Sequence, residues 1–185
     1  MGKVILNIGH GGIKHDPGAC ANGFKEHFWN KEFVEDYLVP ILKERDIKYE
    51  IVIQDTFPTL ASKINKISSK GDFILSFHLN SASPEAHGVE MLYYTKSSNS
   101  KKLAEIFQKA ALEATGLRDR EIKPKTLADR GGSLLVRTNC PCIILETGFV
   151  SNVHDMEVLE EKKKDLAIAY ANAIEEYFKV LQGVI

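Results

Sequence analysis

The chain has 185 residues, enough for one domain with one substantial core. A hydrophobic fraction of 44% and a charged fraction of 26% are ordinary for a folded, water-facing protein. With 24 basic against 25 acidic residues the formal net charge is −1, which argues against nucleic acid as a partner.

Lys3–Gly9 (Lys-Val-Ile-Leu-Asn-Ile-Gly) reads as a buried strand, closed by the glycines around His10. This apolar run is too short for a secretory h-region, so the expectation is a cytoplasmic chain until release. No stretch approaches the length of a bilayer span, and no membrane insertion is expected. A polar, glycine-containing loop runs from Gly11 to about Lys25. Phe28, Phe33, Tyr37, Leu38, Ile41 and Leu42 then recur mostly at three- and four-residue steps, the period of an amphipathic helix. Pro40 interrupts the pattern, which predicts a kink or break near the middle of that helix.

Lys48–Gln54 reads as a second strand, and Leu60, Ile64 and Ile67 mark a helix stopped by Ser68-Ser69-Lys70-Gly71. Asp72–His78 is a third strand. Gly88–Thr95 is a fourth, with Val89, Met91 and Tyr93 alternating against Glu90, Leu92 and Tyr94. Residues 100–115 form a helix through Leu103, Ile106, Phe107 and Ala110. Residues 117–132 read as a charged loop, with Arg118-Asp119-Arg120 and Asp129-Arg130 facing solvent. Ser133–Arg137 reads as a short strand, Cys142–Glu146 as another, and residues 155–179 as a closing helix. Strands alternating with helices predict an α/β fold: a largely parallel twisted sheet of about six strands, flanked by helices on both faces. No repeat or linker divides residues 1–185, so one domain is expected, and nothing resembles a dimerisation seam, so a monomer is expected.

The cysteines Cys20, Cys140 and Cys142 are too few and uneven for a disulfide framework. Cys140-Pro141-Cys142 leads into the apolar Ile143-Ile144-Leu145, where small buried thiols are expected.

Chemistry gathers at strand ends. One strand ends at Gly9-His10-Gly11-Gly12, another at Ser76-Phe77-His78-Leu79-Asn80, and the last at Leu145-Glu146-Thr147-Gly148. If these strands are parallel neighbours, their carboxyl ends meet in one crevice. Each residue taken alone has a plainer account. A histidine at a strand end is accounted for by a hydrogen bond, Glu146 as a rim carboxylate, and Glu26 as an acid in a helix's first turn. Together, two histidines and two acids match a catalytic zinc design with two imidazoles and a carboxylate on the metal and a second carboxylate for protons.

Gly9-His10-Gly11-Gly12 followed by Asp16-Pro17-Gly18-Ala19 resembles the opening of the N-acetylmuramoyl-L-alanine amidase type 3 family. Glu26-His27-Phe28-Trp29-Asn30 resembles its next block, Ser76-Phe77-His78-Leu79-Asn80-Ser81 its third, and Glu146-Thr147-Gly148-Phe149-Val150-Ser151-Asn152 its fourth. The resemblance implies that His10, Glu26 and His78 hold one catalytic zinc ion (Zn2+) and that Glu146 is the catalytic carboxylate. It also implies a mixed sheet flanked by helices, with Asn80 and Arg137 near the cleft as substrate-binding residues. The implied substrate is bacterial peptidoglycan, cut at the amide between N-acetylmuramic acid and L-alanine. Two settings stay open, a phage endolysin and a cellular autolysin.

Asn7-Ile8 stands where the family has Asp-Pro, and Ile13-Lys14-His15 lengthens the gap to Asp16. His15 is a rival ligand nearby. Glu32 is a weaker rival to Glu26, which stands four residues before Asn30, the family spacing. His27, His87 and His154 match no ligand block and read as surface or supporting residues, while Phe28 and Trp29 read as helix packing. Two other functions compete: a zinc peptidase cutting within the peptide stem, and a noncatalytic wall-binding module for which Glu146 is dispensable.

Overall fold

The structure is a computed structural model and describes residues 2–11, 16–54 and 59–184. Its centre is a six-stranded sheet built from β1 (Val4–Gly11), β4 (Tyr49–Gln54), β5 (Phe73–Asn80), β6 (Glu90–Tyr94), β7 (Lys123–Lys125) and β8 (Cys142–Phe149), in the order β4-β1-β5-β8-β6-β7. The first four strands in that order run parallel, β6 lies antiparallel to β8, and β7 lies parallel to β6. The sheet is therefore mixed but largely parallel, as expected.

Period-two alternation sends side chains to two cores. Val4, Leu6 and Ile8 of β1 join Phe73, Leu75 and Phe77 of β5 on one face, under α1 (Glu26–Glu32), α4 (Ser98–Thr115) and α7 (Lys163–Leu181). Ile5, Ile74, Leu92 and Ile144 face the other way, under α3 (Thr59–Ile67) and α5 (Gly132–Arg137). α2 (Val39–Glu44) and α6 (Val153–Glu161) complete the helices, and none of those described is long and apolar enough to cross a membrane.

Several elements differ from expectation. Ser133–Arg137 is the helix α5 rather than a strand. Gly131 caps it at φ 78°, and Leu134 and Leu135 are buried on one helical face beneath the sheet. The charged loop 117–132 contains β7, whose Lys-Pro-Lys sequence suits an edge strand because Pro124 lacks a ladder donor and lysines discourage further pairing. The glycine-containing loop holds a hairpin, β2 (Cys20–Ala21) and β3 (Phe24–Lys25), turned by Asn22 and Gly23 at φ 52° and 80°.

The helix disturbance expected at Pro40 lies just upstream, as a π-helical segment over Phe33–Leu38. The wider turn advances the buried face by one residue, so Leu38 and Val39 turn inward while Pro40 is exposed. Trp29, not Phe28, begins the buried stripe: Trp29 stacks on Phe33 and donates Nε1 to Glu160, while Phe28 is 54% exposed. The packing expectation holds for Trp29 and fails for Phe28. The closing helix is divided at Lys162 into α6 and α7. All the cysteines are free, and Cys142 is fully buried, with its thiol pushed up to about 12 by that burial.

Candidate metal centre

β1, β5 and β8 are parallel neighbours, so their carboxyl ends do meet. The crevice is a cleft of about 270 Å³ whose lining includes His10, Glu26, His78, Asn80, Glu90 and Glu146.

His10, next to last in β1, sits at φ 60°, in a stretch where the pairing with β4 shifts register between Ile8 and Gly11. Such a conformation costs a non-glycine residue energy and persists only where its surroundings enforce it. Here His27 supplies part of that enforcement: its buried ring hydrogen-bonds the Gly9 carbonyl through Nδ1 (2.8 Å) and fills the space beside Gly11. His27 is thus a supporting residue, one of the two roles expected of it. His87 is partly buried and His154 exposed, and neither lines the cleft.

Glu26 opens α1 and is 97% buried by its 3% relative exposure. Its Oε1 accepts from the Leu79 backbone N–H (3.1 Å) and from His78 Nδ1 (2.9 Å). Its Oε2 accepts from the Ala19 N–H (3.0 Å) and lies 3.3 Å from His10 Nε2. Burial alone would raise its pKa, but the hydrogen bonds from His10, His78 and Ala19 hold it well below the usual carboxylate range. The ligand atoms of His10, Glu26 and His78 all lie within 4.8 Å of one another. Two imidazoles and one ionised carboxylate, converging without cysteine, fit a single divalent ion of the zinc type. Glu32 is not in this group; it pairs with Lys163 on the far side of α1. His15 lies outside the described residues.

Asp16 completes the geometry. Its Oδ2 accepts from His10 Nδ1 (2.8 Å), while its Oδ1 accepts from the Gly18 N–H (3.0 Å). An imidazole whose Nδ1–H is fixed by a carboxylate presents Nε2 in a defined direction, the usual support for a metal-binding histidine. The bond to Glu26 first and that to Asp16 next raise the His10 pKa to about 9, against the opposing effect of burial. Two glycines make room for this cluster. A Cβ on Gly9 would fall 2.4 Å from the His78 ring, and one on Gly18 2.7 Å from both Glu26 and His10.

Glu146 stands beside His78 in the β5–β8 register and opposite Glu90 across the antiparallel β6–β8 pair. Its Oε2 is buried without a hydrogen-bond partner among the described residues. Burial raises its pKa to about 7, helped by the charges of Glu26 and Glu90 and opposed by His78 and Arg130. A carboxyl group poised near neutrality beside a metal-type cluster can both accept and return a proton.

Asn80 lines the cleft, its amide held by Glu90 Oε1 (2.9 Å). Arg120 clamps the other oxygen of Glu90 (Nε–Oε2 2.8 Å) and lies over Phe149, so it is engaged rather than freely solvated. Arg137 is not brought to the cleft: it is exposed at the end of α5, where its carbonyl accepts from Asn65 (2.8 Å). Arg130, expected to face bulk solvent, lines the cleft with Lys125. Sequence spacing does not mark Glu90, because its tie to Glu146 depends on the antiparallel register of β6.

A family model described as N-acetylmuramoyl-L-alanine amidase matches residues 4–176. The chain is 29% identical over 164 residues to N-acetylmuramoyl-L-alanine amidase LytC of Bacillus subtilis, covering 85% of this chain and 31% of that protein. It is 28% identical over 162 residues to the probable cell wall amidase LytH of Staphylococcus saprophyticus, covering 86% and 52% respectively. The chain thus spans 31% and 52% of these two relatives' lengths. Among solved structures, the catalytic domain of CwlV, an N-acetylmuramoyl-L-alanine amidase from Bacillus (Paenibacillus) polymyxa, superposes with a TM-score of 0.78 at 29% identity, covering 97% of this chain and 99% of that one.

Proposed function

Because this chain belongs to the N-acetylmuramoyl-L-alanine amidase family, we propose that it hydrolyses the amide joining N-acetylmuramic acid to L-alanine in peptidoglycan, with His10, Glu26 and His78 holding zinc. The observation that carries this reading is the convergence of that trio with a half-buried, proton-poised Glu146 in one cleft. When bound, zinc lowers the pKa of water towards ~7 and polarises an amide carbonyl.

The chain's own residues supply the rest. Asp16 orients His10, and the backbone N–H groups of Ala19 and Leu79 fix the Glu26 carboxylate. Glu146 takes a proton from the attacking water as its oxygen adds to the lactyl carbonyl carbon. The same group then returns the proton to the alanine nitrogen as the C–N bond breaks, since an amine leaves poorly without one. The products are a lactyl carboxylate and a stem with a free amino terminus. Among the described residues no protein group hydrogen-bonds Glu146 Oε2, so its proton-accepting capacity is not spent on a neighbour.

Metal analysis of the purified protein and mass spectrometry of digested sacculi test this directly. The expected products are whole stems with free alanine amino ends and intact glycan. New amino groups confined to the stem interior would reassign the enzyme as a peptidase. Glu146→Ala is expected to keep its metal and to lose hydrolysis by about 10²–10⁴-fold. Unchanged wall turnover by that variant would remove the proposed mechanism.

A further inference from the structure

The cleft crosses the strand ends in sheet order. His10 and His78 come from β1 and β5, Glu146 from β8, Glu90 from β6, Lys125 from β7, and Arg130 from the loop after β7. Metal-type ligands therefore occupy one end and two cations the other, over an apolar floor of Leu92, Leu134 and Ile144. The cations are uncommitted in a telling way. Arg120 on the same side is taken by Glu90, but Lys125 and Arg130 have no carboxylate within 4.0 Å among the described residues. Asp129, their sequence neighbour, is turned onto the N–H and hydroxyl of Thr126 (2.7 Å each). That staple shapes the loop and leaves Arg130 facing the cleft, where its charge already acts on Glu146.

Scale identifies what the cations meet. Strands lie ~4.8 Å apart, which places β7 ~10 Å from β8. An extended peptide advances ~3.4 Å per residue, so that distance is covered by about three residues. We propose that Lys125 and Arg130 form an anion subsite for a peptide-stem carboxylate about two to three residues from the amide being cut, fixing the stem's direction across the cleft. This rests on the amide-hydrolysis reading above. Arginine suits the task because its planar fork pairs with a carboxylate through two parallel bonds.

The test uses muramyl peptides that differ only in carrying a carboxylate or a carboxamide at the second or third stem residue. The wild-type protein is expected to favour the acid by ~10–100-fold in kcat/KM, the worth of a charge-assisted bond. Arg130→Ala is expected to bring that ratio close to one, mainly through KM. Arg130→Lys should recover part of it, and Lys125→Ala should fall between. The position at which preference is lost names the carboxylate. Lys101→Ala, exposed on α4 outside the cleft lining, should retain the wild-type ratio. Equal wild-type rates on acid and amide, or an unchanged ratio in Arg130→Ala, would overturn the subsite. Failure of the wild type to cut any fragment would instead sink the amidase reading. Calorimetric binding of free stem peptides, acid against amide, then decides the subsite on its own.

Discussion

Glu146 is held where burial favours its neutral form while its proposed chemistry needs the charged one. Its pKa rises from 4.5 to about 7, so the folded metal-free protein binds its proton more tightly than the unfolded chain does. The stability this confers is fully present below pH 4.5 and is lost as pH rises through about 7. Glu146→Gln keeps the shape and removes the titration. With metal chelated, its advantage over wild type should be near zero at pH 4 and grow to about 3 kcal/mol by pH 8. Denaturant titrations across that range check the sign, and a flat difference would contradict it. Gly9 supports the centre by its size. A Cβ there meets the His78 ring at 2.4 Å, so Gly9→Ala must push the imidazole away. Zinc affinity is expected to fall by about tenfold or more, measured by chelator competition. His10, Glu26, His78 and Glu146 were legible because residue type and motif order both mark them. Asp16 was legible only as part of a motif, since its task appears only in its contact with His10. Arg130 was hidden in a charged stretch, because only the fold separates a cleft cation from a solvated one.

Between residues and sheet, legibility depended on whether local pattern or tertiary contact sets the element. The alternation of Val89, Met91 and Tyr93 against Leu92 held because each set meets its own core. The run Ser133–Arg137 misleads because Leu134, Leu135 and Val136 look like a strand to any periodicity test. Two glycines decide otherwise: Gly131 adopts φ 78°, and Gly132 lets the chain pack against the Thr126 carbonyl. The π segment before Pro40 escapes a 3.6-residue count for a related reason, since the face it buries moves by one residue midway. The Asn22-Gly23 hairpin, by contrast, was missed inside what the sequence presented as a polar loop, because its strands are only two residues each. At Gly132 a Cβ would lie 1.8 Å from the Thr126 oxygen, a backbone atom that cannot swing aside. Gly132→Ala should therefore open the 126–132 loop and cost about 2 kcal/mol or more, visible in thermal unfolding. If that loop positions Arg130, the acid-over-amide preference should weaken in the same variant. A Gly132→Ala protein as stable as wild type would show that the loop carries no such constraint.

At the scale of the molecule, the strand order creates the site. β1, β5 and β8 are far apart in sequence, and their adjacency brings His10, His78 and Glu146 to one edge. Sequence alternation announced a parallel α/β sheet and so made a common crevice conceivable. It carried no information on the antiparallel insertion of β6, which adds Glu90 and extends the cleft toward β7. The proposed metal ligands come from β1, α1 and β5, so binding there should tie these elements together and be felt as global stability. A ligand that binds only the folded state stabilises it by RT ln(1 + [L]/Kd), about 2.7 kcal/mol at one hundred times Kd. For a protein of this size that corresponds to a Tm rise of roughly 5–10 °C. Zinc added back to chelated protein should produce that rise in a concentration-dependent way. His78→Ala should abolish it, because one imidazole leaves the trio. Glu146→Ala should retain it, because Glu146 lies beside the trio rather than within it. If the two variants responded alike, whether both kept the rise or both lost it, the division between metal holding and proton handling would have to be redrawn.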